Sequence, residues 1–338
     1  MSTINYYSVY KPFIEEFVAL KRNLGYKYIS IEYAFMQFDQ LAYDREETTI
    51  GISKELCQQW CIRRPNESDK TRYNRIQFMR QFSSFLITLN YHSYLPALPK
   101  VQSTRTPHIY TKEEIAAIFA AADQLSTKTT CYNSMVLILP ALFRLLYGAG
   151  LRLGEALALS CKDVHLEEQY IVLRDTKNGT DRMVPISDSL MQVIAEYLNC
   201  RERFPMVRKT DLLFVHPNGD CCYSHRAYQW FRKVLHNAGI PHKGKHQGPH
   251  VHDLRHTFSV HSLAKMAEDG IDLYYSLPVL STYLGHNSIA STDGYVRLTA
   301  DMYPSIITKV NNVCPYLFPE ISKPRLRVRQ YEGIFKFF

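Results

Sequence analysis

The chain has 338 residues, of which 46% are hydrophobic and 21% are charged. This balance is typical of a globular protein, and the length suffices for two domains of ordinary size. The longest apolar run, 135–143, is too short to cross a bilayer and contains Pro140, so we expect no membrane role. Forty Lys and Arg against 32 Asp and Glu leave a net charge of +8, which favours a polyanionic partner.

The cysteines show no pairing pattern. The eight cysteines include Cys57 with Cys61 and Cys221 with Cys222, and neither spacing is the CxxC of a zinc knuckle or redox site. Reduced thiols in a cytosolic compartment are the simplest interpretation. Residues 1–10 also lack the charged and then apolar build of a signal peptide, so we expect a cytoplasmic protein.

The first hundred residues have the periodicity of a small all-helical domain. Apolar stripes predict helices over 10–24, 31–42, 53–62 and 68–89. Basic residues concentrate between positions 61 and 80, as Arg63, Arg64, Lys70, Arg72, Arg75 and Arg80. Such a charged face is either merely solvated or grips the phosphates of a nucleic acid.

A proline-containing stretch follows this helical domain. Residues 95–107 hold three prolines and little that could form a core, which indicates an extended linker. Thr111 and Glu114 form a capping box that begins the next helix. The nearly all-apolar segment 131–147 predicts a central buried helix.

A glycine-containing turn follows that helix and carries an arginine. Residues 148–155 read GAGLRLGE, in which glycines end one helix and permit a sharp turn into the next. Glu155 lies one helical turn after Arg152, and an unpaired arginine among leucines and alanines would be costly. The two residues form either a buried ion pair that shapes the turn or a guanidinium held by Glu155 and aimed into a cleft.

Two short strands are predicted next, over 170–174 and 182–186. Asn178-Gly179 between them is a strong hairpin signal, because both turn positions tolerate positive φ. Lys177 lies at the tip, where it is either solvated or able to reach into a cleft and give up a proton. Helices over 188–204 and 224–238 and an extended piece over 212–215 complete this part.

The stretch from 250 to 295 carries the most chemistry. HDLRH at 252–256 opens a helix, so His252 and Arg255 share a face that suits an oxyanion. LGH at 284–286 follows, and then Tyr295, whose phenol can act as a nucleophile beside cations. Taken singly, each residue is a surface pair or a core aromatic.

Taken in order, these residues resemble the tyrosine recombinase (phage integrase) family. The matching set is Arg152, Lys177, His252, Arg255, His286 and Tyr295. GLRLGE at 150–155 is similar to the family's first arginine motif, and HDLRHTF at 252–258 is similar to its second box. The likeness covers about residues 107–300, although between Gly270 and His286 the chain is a few residues longer than the common pattern.

The resemblance implies a mainly α fold with a small β-hairpin or sheet, built as a two-domain C-shaped DNA clamp. Residues 1–97 would be a helical core-binding domain and 98–108 a linker. Residues 109–302 would be a mixed α/β catalytic domain, and the tail 303–338 would either fold on its own domain or dock on a neighbouring protomer.

The resemblance also implies an activity: site-specific cleavage and rejoining of duplex DNA through a 3′-phosphotyrosyl intermediate, for integration or excision of a mobile element. Tyr295 would attack the phosphate, and Arg152, Arg255 and His286 would stabilise its charge. Lys177 would protonate the 5′-oxygen, His252 would assist proton movement, and Glu155 would hold Arg152. These cations do what a metal does elsewhere, so no metal, cofactor or ATP is expected.

The implied partner is double-stranded DNA carrying specific recombination sites. A dimer to tetramer of this chain would assemble on the DNA in a prokaryotic cytoplasm, with accessory DNA-binding proteins as further partners. Three alternatives stay open. One is a DNA-binding protein that does not cleave, and another is a type IB topoisomerase that acts alone. The third is a zinc enzyme using His252 and His256 with His242, His246 or His250, although Asp253 stands where that motif has Glu.

Overall fold

The computed structural model describes residues 5–26, 29–101, 106–126, 134–176, 179–204, 210–242, 244, 248–286, 292, 294 and 295. The chain divides into two compact units, Met1–Arg105 and Thr106–Phe338, and the division falls inside the stretch 98–108. Helices dominate the described residues, and the described strands form one three-stranded sheet. The prediction of a mainly α fold with a small sheet is confirmed.

Unit 1 packs its helices around aromatic rings. The helices of its described part are α1 (Lys11–Asn23), α2 (Ile29–Asp44), α3 (Lys54–Cys61) and α4 (Asp69–Thr88). The hydroxyls of Ser53 and Ser68 accept backbone N–H groups at the starts of α3 and α4, which fixes where both helices begin. The buried rings, which meet mostly edge to face, are Tyr10, Phe17, Phe35, Phe38, Trp60, Phe78 and Phe82.

Unit 2 is built around one apolar helix. Its helices are α5 (Lys112–Asp123), α6 (Leu139–Gly148), α7 (Leu153–Ala158), α8 (Asp188–Arg201), α9 (Ser224–Asn237), α10 (Asp253–Glu268) and α11 (Leu273–Leu284). Helix α6 packs against α5, α7, α8 and α10, and its Leu142, Phe143 and Leu145 are fully buried. This position explains its almost uniformly apolar sequence.

The start predicted for this central helix is wrong. The sequence predicts a helix from 131, but 136–138 form a turn and α6 begins at Leu139 with Pro140 in its first turn. Proline lacks an N–H, and its ring clashes with the preceding turn, so it is favoured where a helix begins and disfavoured in the interior of a helix. Met135 and Ile138, which precede α6, belong to the same core without being helical.

The sheet consists of β1 (Val164–His165), β2 (Tyr170–Leu173) and β3 (Arg182–Pro185), all antiparallel, after a short 3-10 helix, Cys161–Asp163. Leu173 pairs with Arg182 at the turn end of the predicted hairpin, and Gly179 has a φ of +71°. Lys177 and Asn178 lie outside the described residues. The register therefore places Arg182 at the end of β3 that is nearest the hairpin tip.

Two further observations concern the environment of the chain. Within the described ranges, no helix combines the length and apolar character needed to cross a bilayer. The cysteines that the structure describes as free thiols are Cys57, Cys61, Cys161, Cys200, Cys221 and Cys222.

Gly150 turns the chain between α6 and α7 with a φ of +59°, and a Cβ added there would lie 2.4 Å from Cδ1 of Phe258. We expect Gly150→Ala to lower the free energy of unfolding by roughly 2 kcal/mol or more, because it adds backbone strain and steric overlap. Gly154→Ala is the matched control, since a Cβ on this α7 residue meets nothing within 4 Å. The control should be neutral or stabilising by up to about 1 kcal/mol. Urea unfolding measures both variants, and equal stabilities would contradict the turn geometry.

Candidate active site

One carboxylate gathers three guanidinium groups. Oε1 of Glu155, in the first turn of α7, accepts hydrogen bonds from Arg152 at 2.6 Å and from Arg182 at 3.1 Å. Oε2 accepts from Arg182 at 2.8 Å and from the backbone N–H of Arg152 at 3.0 Å, and it lies 3.8 Å from Nη1 of Arg255. Burial acts to raise the pKa of Glu155, but the bonds from Arg182 and Arg152 outweigh it and lower the pKa to about 2. The carboxylate is therefore ionised at neutral pH.

The same arginines satisfy the carbonyl groups at the end of α11. Arg182 Nε donates to the Tyr283 carbonyl at 3.2 Å, Arg255 Nη2 to the Leu284 carbonyl at 2.8 Å, and Arg152 Nη2 to the Gly285 carbonyl at 3.5 Å. The last carbonyls of a helix have no partner inside the helix and carry its negative dipole end. Three cations are thus held between a carboxylate and a helix C-terminus.

Helix α11 lies in the stretch that the sequence predicts to be longer than the family's common pattern. Pro278 lies inside this helix, where it cannot donate a backbone hydrogen bond, and the Thr282 hydroxyl donates to the Pro278 carbonyl at 2.9 Å. Most of this stretch is therefore helical. The end of α11 bears on the site, because the carbonyls of Tyr283 and Leu284 accept hydrogen bonds from the arginines.

Arg255 is almost completely buried, at 1% exposure. Besides Leu284, its guanidinium donates to the Gly150 carbonyl and to Nε2 of His286, at 2.8 and 3.1 Å. Burial and the charge of Arg152 lower the pKa of Arg255 to about 10, and Glu155 opposes this shift. Arg255 is therefore still a cation at neutral pH. It joins the turn before α7, helix α10 and the end of α11 at one point.

The hydrogen bonds of His286 assign its tautomer. Arginine has only donors, so Nε2 of His286 accepts from Arg255, and the ring proton lies on Nδ1, which donates to the Thr292 hydroxyl at 2.8 Å. Burial, and then the charges of Arg255 and Arg152, lower the pKa of His286 to about 4. His286 is neutral at neutral pH and orients Arg255 in this arrangement.

Tyr295 lies beside these groups and is 5% exposed. Its hydroxyl is 3.0 Å from Nδ1 of His256, and its ring stacks on that of His286 with centroids 6.1 Å apart. Burial raises the pKa of Tyr295, although the charge of Arg255 and hydrogen bonds with Ser259 and Arg255 oppose the rise. The phenol is therefore protonated at neutral pH.

The structure brings Arg152, Arg255, His286 and Tyr295 into one site. His252, at the N-terminus of α10, reaches the site through His256, whose ring it meets edge-on with centroids 4.7 Å apart. Lys177 lies outside the described residues. Sequence reasoning did not assign a role in this site to Arg182, His256 or Thr292. The sequence did contain a signal for Arg182, because this arginine is the first residue of a short strand that follows the predicted hairpin turn.

The described part of the structure gives no support to the zinc-enzyme alternative. Among the residues that the structure describes, no group of three or more His, Cys, Asp or Glu side chains is placed to hold a metal ion. His256, one half of the proposed zinc pair, contacts Tyr295 through Nδ1. His246 lies outside the described ranges.

In unit 1, Arg75 is not a surface cation but a buried residue that stabilises the fold. It is buried, and its guanidinium donates to both oxygens of Glu67 at 2.8 Å and to the carbonyls of Trp60 and Ile62. The hydrogen bonds from Arg75 hold the pKa of Glu67 below its ordinary value. Arg75 therefore has no exposed edge to offer a phosphate, and its expected role in DNA binding is revised to a structural one.

The other predicted basic residues of unit 1 differ in exposure. Arg63, Lys70 and Arg80 are exposed. Arg64 and Arg72 are partly buried, the first with its guanidinium over the Trp60 ring at 4.9 Å and the second donating to the Cys61 carbonyl. The exposed three are best placed to contact a polyanion.

Comparison with known proteins identifies a family and a fold. The model of the "Phage integrase family" matches residues 109–302. The Sinorhizobium fredii protein y4rB, named as a candidate integrase/recombinase, is 28% identical over 294 residues, which cover 86% of this chain and 93% of that protein. The tyrosine recombinase XerA of Pyrococcus horikoshii is 30% identical over 216 residues, or 63% of this chain and 64% of the relative.

Two solved structures share the fold. The Tn1549 transposon integrase in complex with transposon right end DNA superimposes with a TM-score of 0.60 at 17% identity, covering 89% of this chain and 100% of that one. The XerH site-specific recombinase bound to a palindromic difH substrate gives a TM-score of 0.58 at 19% identity, covering 81% and 77%. At these identities the likeness concerns the fold.

We expect Arg182→Ala to lower the free energy of unfolding by roughly 2–4 kcal/mol, because the buried Glu155 carboxylate loses both hydrogen bonds from Arg182 and the Tyr283 carbonyl loses its bond from the same guanidinium. Lys265→Ala on α10 is the control. Its ammonium group pairs with the Asp269 carboxylate at 2.7 Å, but both side chains are exposed, at 68% and 51%, so its loss should change stability little. Denaturant unfolding decides between them, and a harmless Arg182→Ala would show that the cluster does not stabilise the fold.

The lowered pKa of His286 predicts a pH dependence of stability. The unfolded chain protonates this histidine below its ordinary value of 6.5, whereas the folded protein resists until about 4. The unfolded state therefore binds more protons between these values, and stability should fall as the pH is lowered from about 6.5 to about 4. Burial also lowers the pKa of His261, which acts with the same sign, so a variant is needed to isolate His286.

The measurement is urea unfolding from pH 4 to 7.5 for the wild type and His286→Gln. The variant should lose part of the slope, whereas His225→Gln, at an exposed position of α9, should keep it. An unchanged slope in His286→Gln would show that His286 is not held neutral.

Proposed function

This chain belongs to the phage integrase family, and we propose that it is a site-specific DNA recombinase that cleaves and rejoins duplex DNA through a 3′-phosphotyrosyl bond to Tyr295. The observation that carries the proposal is the convergence of three separate segments: Arg152 and Arg255 meet at Glu155, and Tyr295 lies beside Arg255. Fixed cations beside a phenol are what phosphoryl transfer to a tyrosine requires.

The chemistry follows from the groups present. Oη of Tyr295 gives its proton to a neighbouring base as it forms a bond to phosphorus, the bond from phosphorus to the 5′-oxygen breaks, and Lys177 supplies the proton that this oxygen takes up. Arg152 and Arg255 face the charge that develops on the non-bridging oxygens, and donors of this kind typically contribute 10²–10³ in rate. His286 keeps Arg255 oriented, and its own donation to phosphate stays a prediction. The 5′-hydroxyl of another strand reverses the step, so no ATP is consumed.

The proposed partner is double-stranded DNA bound by several copies of the chain. In support, the Tn1549 integrase and XerH structures are complexes with transposon DNA and with a difH substrate. Residues 1–97 would hold the DNA through Arg63, Lys70 and Arg80, with 98–108 as the linker and 109–302 as the catalytic domain. The tail 303–338 would dock on a neighbouring copy. We propose integration or excision of a mobile element in a prokaryotic cytoplasm as the setting.

A nicked suicide duplex tests the proposal, because loss of a short 5′ fragment after cleavage traps the covalent complex. Duplexes selected by binding from a random pool supply the site. The wild type should form a protein–DNA adduct, and Tyr295→Phe should form none while binding the duplex equally well. Tyr275→Phe, at a position of α11 that is 70% exposed, is the matched control and should behave as the wild type. An adduct in Tyr295→Phe, or none in the bound wild type, would contradict the proposal.

A further inference from the structure

The Tyr295 hydroxyl requires a proton acceptor inside the protein. Burial raises its pKa, so the phenol holds its proton at neutral pH. With the residue 5% exposed, bulk water has little access to this hydroxyl. The proton must therefore pass first to a neighbouring side chain when Oη becomes a nucleophile.

Most neighbours of this hydroxyl in the described structure are unsuited to accept the proton. Arg255 is a cation at neutral pH and has only donors. Ser259 already donates its own hydroxyl proton to the Arg255 carbonyl at 2.9 Å, and a hydroxyl does not hold a second proton at neutral pH. His286 accepts from Arg255 through one ring nitrogen and donates to Thr292 through the other. To take the proton, it would have to give up Arg255.

His256 has the required geometry. Its Nδ1 lies 3.0 Å from the Tyr295 hydroxyl, within the range at which a general base takes a proton. His256 is the residue after Arg255 in α10, so the helix that places the Arg255 guanidinium also places this imidazole. The imidazole is only partly buried, and it touches the partly exposed His252 edge-on at 4.7 Å. A proton received at Nδ1 thus has a short path toward solvent.

We propose that His256 is the general base that deprotonates Tyr295 during strand cleavage, and the general acid that returns the proton when the strand is rejoined. This inference rests on the proposed function, since it assumes that Tyr295 is the nucleophile. The proton moves from Oη to Nδ1 as the bond from Oη to phosphorus forms. The bond to the 5′-oxygen breaks, and that oxygen receives its proton from another group. On rejoining, Nδ1 gives the proton back to the departing Tyr295 oxygen.

The test compares two histidines that make the same contact on the same helix. In His256→Asn the amide occupies the place of Nδ1 and keeps a hydrogen bond to Tyr295, but it cannot accept a proton. His261→Asn is the control. His261 lies further along α10, and its Nδ1 is 2.9 Å from the hydroxyl of Tyr147, a residue of α6. Single-turnover adduct formation on the suicide duplex is measured for both variants and for Tyr295→Phe. A second duplex carries sulfur in place of the bridging 5′-oxygen, and this leaving group departs without a proton.

His256→Asn should cleave at least 10²-fold more slowly than the wild type on both duplexes, because general bases typically contribute 10²–10⁴. His261→Asn should cleave at the wild-type rate. A Lys177→Ala variant should be slow with oxygen and recover with sulfur, which distinguishes the leaving-group acid from the base. If His256→Asn regained the wild-type rate on the sulfur duplex, His256 would be the acid for the leaving group, and the inference would be overturned. A wild-type rate of His256→Asn on the oxygen duplex would also overturn it.

A further variant covers the case that asparagine disturbs the fold. His256→Ala should regain cleavage when imidazole is added, in proportion to the imidazole concentration, whereas a residue that only supports packing would show no such rescue. Absence of rescue in a variant that binds the duplex normally would count against a base at this position. Loss of adduct formation in the wild type, or its survival in Tyr295→Phe, would instead refute the proposed function itself.

Discussion

The site depends on the pairing of three arginines with the Glu155 carboxylate on one side and the C-terminus of α11 on the other. Each guanidinium would repel the others if they met in the low-dielectric interior without anions between them. The Glu155 carboxylate supplies a negative charge, and the carbonyls of Tyr283, Leu284 and Gly285 supply the negative ends of their dipoles. Because these hydrogen-bond acceptors are fixed, the cations do not need to rearrange when a phosphate arrives.

This pairing also joins segments that are distant in the chain. Arg152 comes from the turn before α7, Arg182 from β3, and Arg255 from α10. Arg182 uses its three guanidinium nitrogens on Glu155 and Tyr283, so it positions the others and has little left for a substrate. Arg152 keeps 23% of its side chain exposed and is the member best placed to meet a ligand. Arginine therefore has two roles here: Arg182 positions the other groups, and Arg152 is available to contact a ligand.

The sequence predicted the parts of this site that short spacing determines. Glu155 lies one turn after Arg152, and His252 lies one turn before Arg255, so helical geometry alone placed each pair. The capping box at Thr111 and the hairpin around Gly179 were equally local and were predicted correctly. The start of α6 was missed, because apolar composition outweighed the single contrary signal of Pro140.

The residues that sequence reasoning missed depend on contacts between distant segments. Arg182 meets Glu155 across 27 positions of the chain, and His256 meets Tyr295 across 39. No periodicity within one segment encodes such pairs. Exposure was equally hidden, since Arg75 is one basic residue among several in the sequence and is buried on Glu67 in the fold. Only the packed structure separates a cation that binds outward from one that holds the core.

The most direct test of the shared anion pocket removes charge from the substrate instead of from the protein. In a cleavable duplex, the scissile phosphate is replaced by a methylphosphonate, which carries no negative charge, and cleavage by the wild type and by Arg152→Ala is compared on both linkages. If the guanidinium acts on phosphate charge, the variant should be about 10²–10³-fold slower on the phosphodiester and within about tenfold of the wild type on the methylphosphonate. An equal loss on both linkages would contradict the account, because Arg152 would then act through the fold and not on the phosphate.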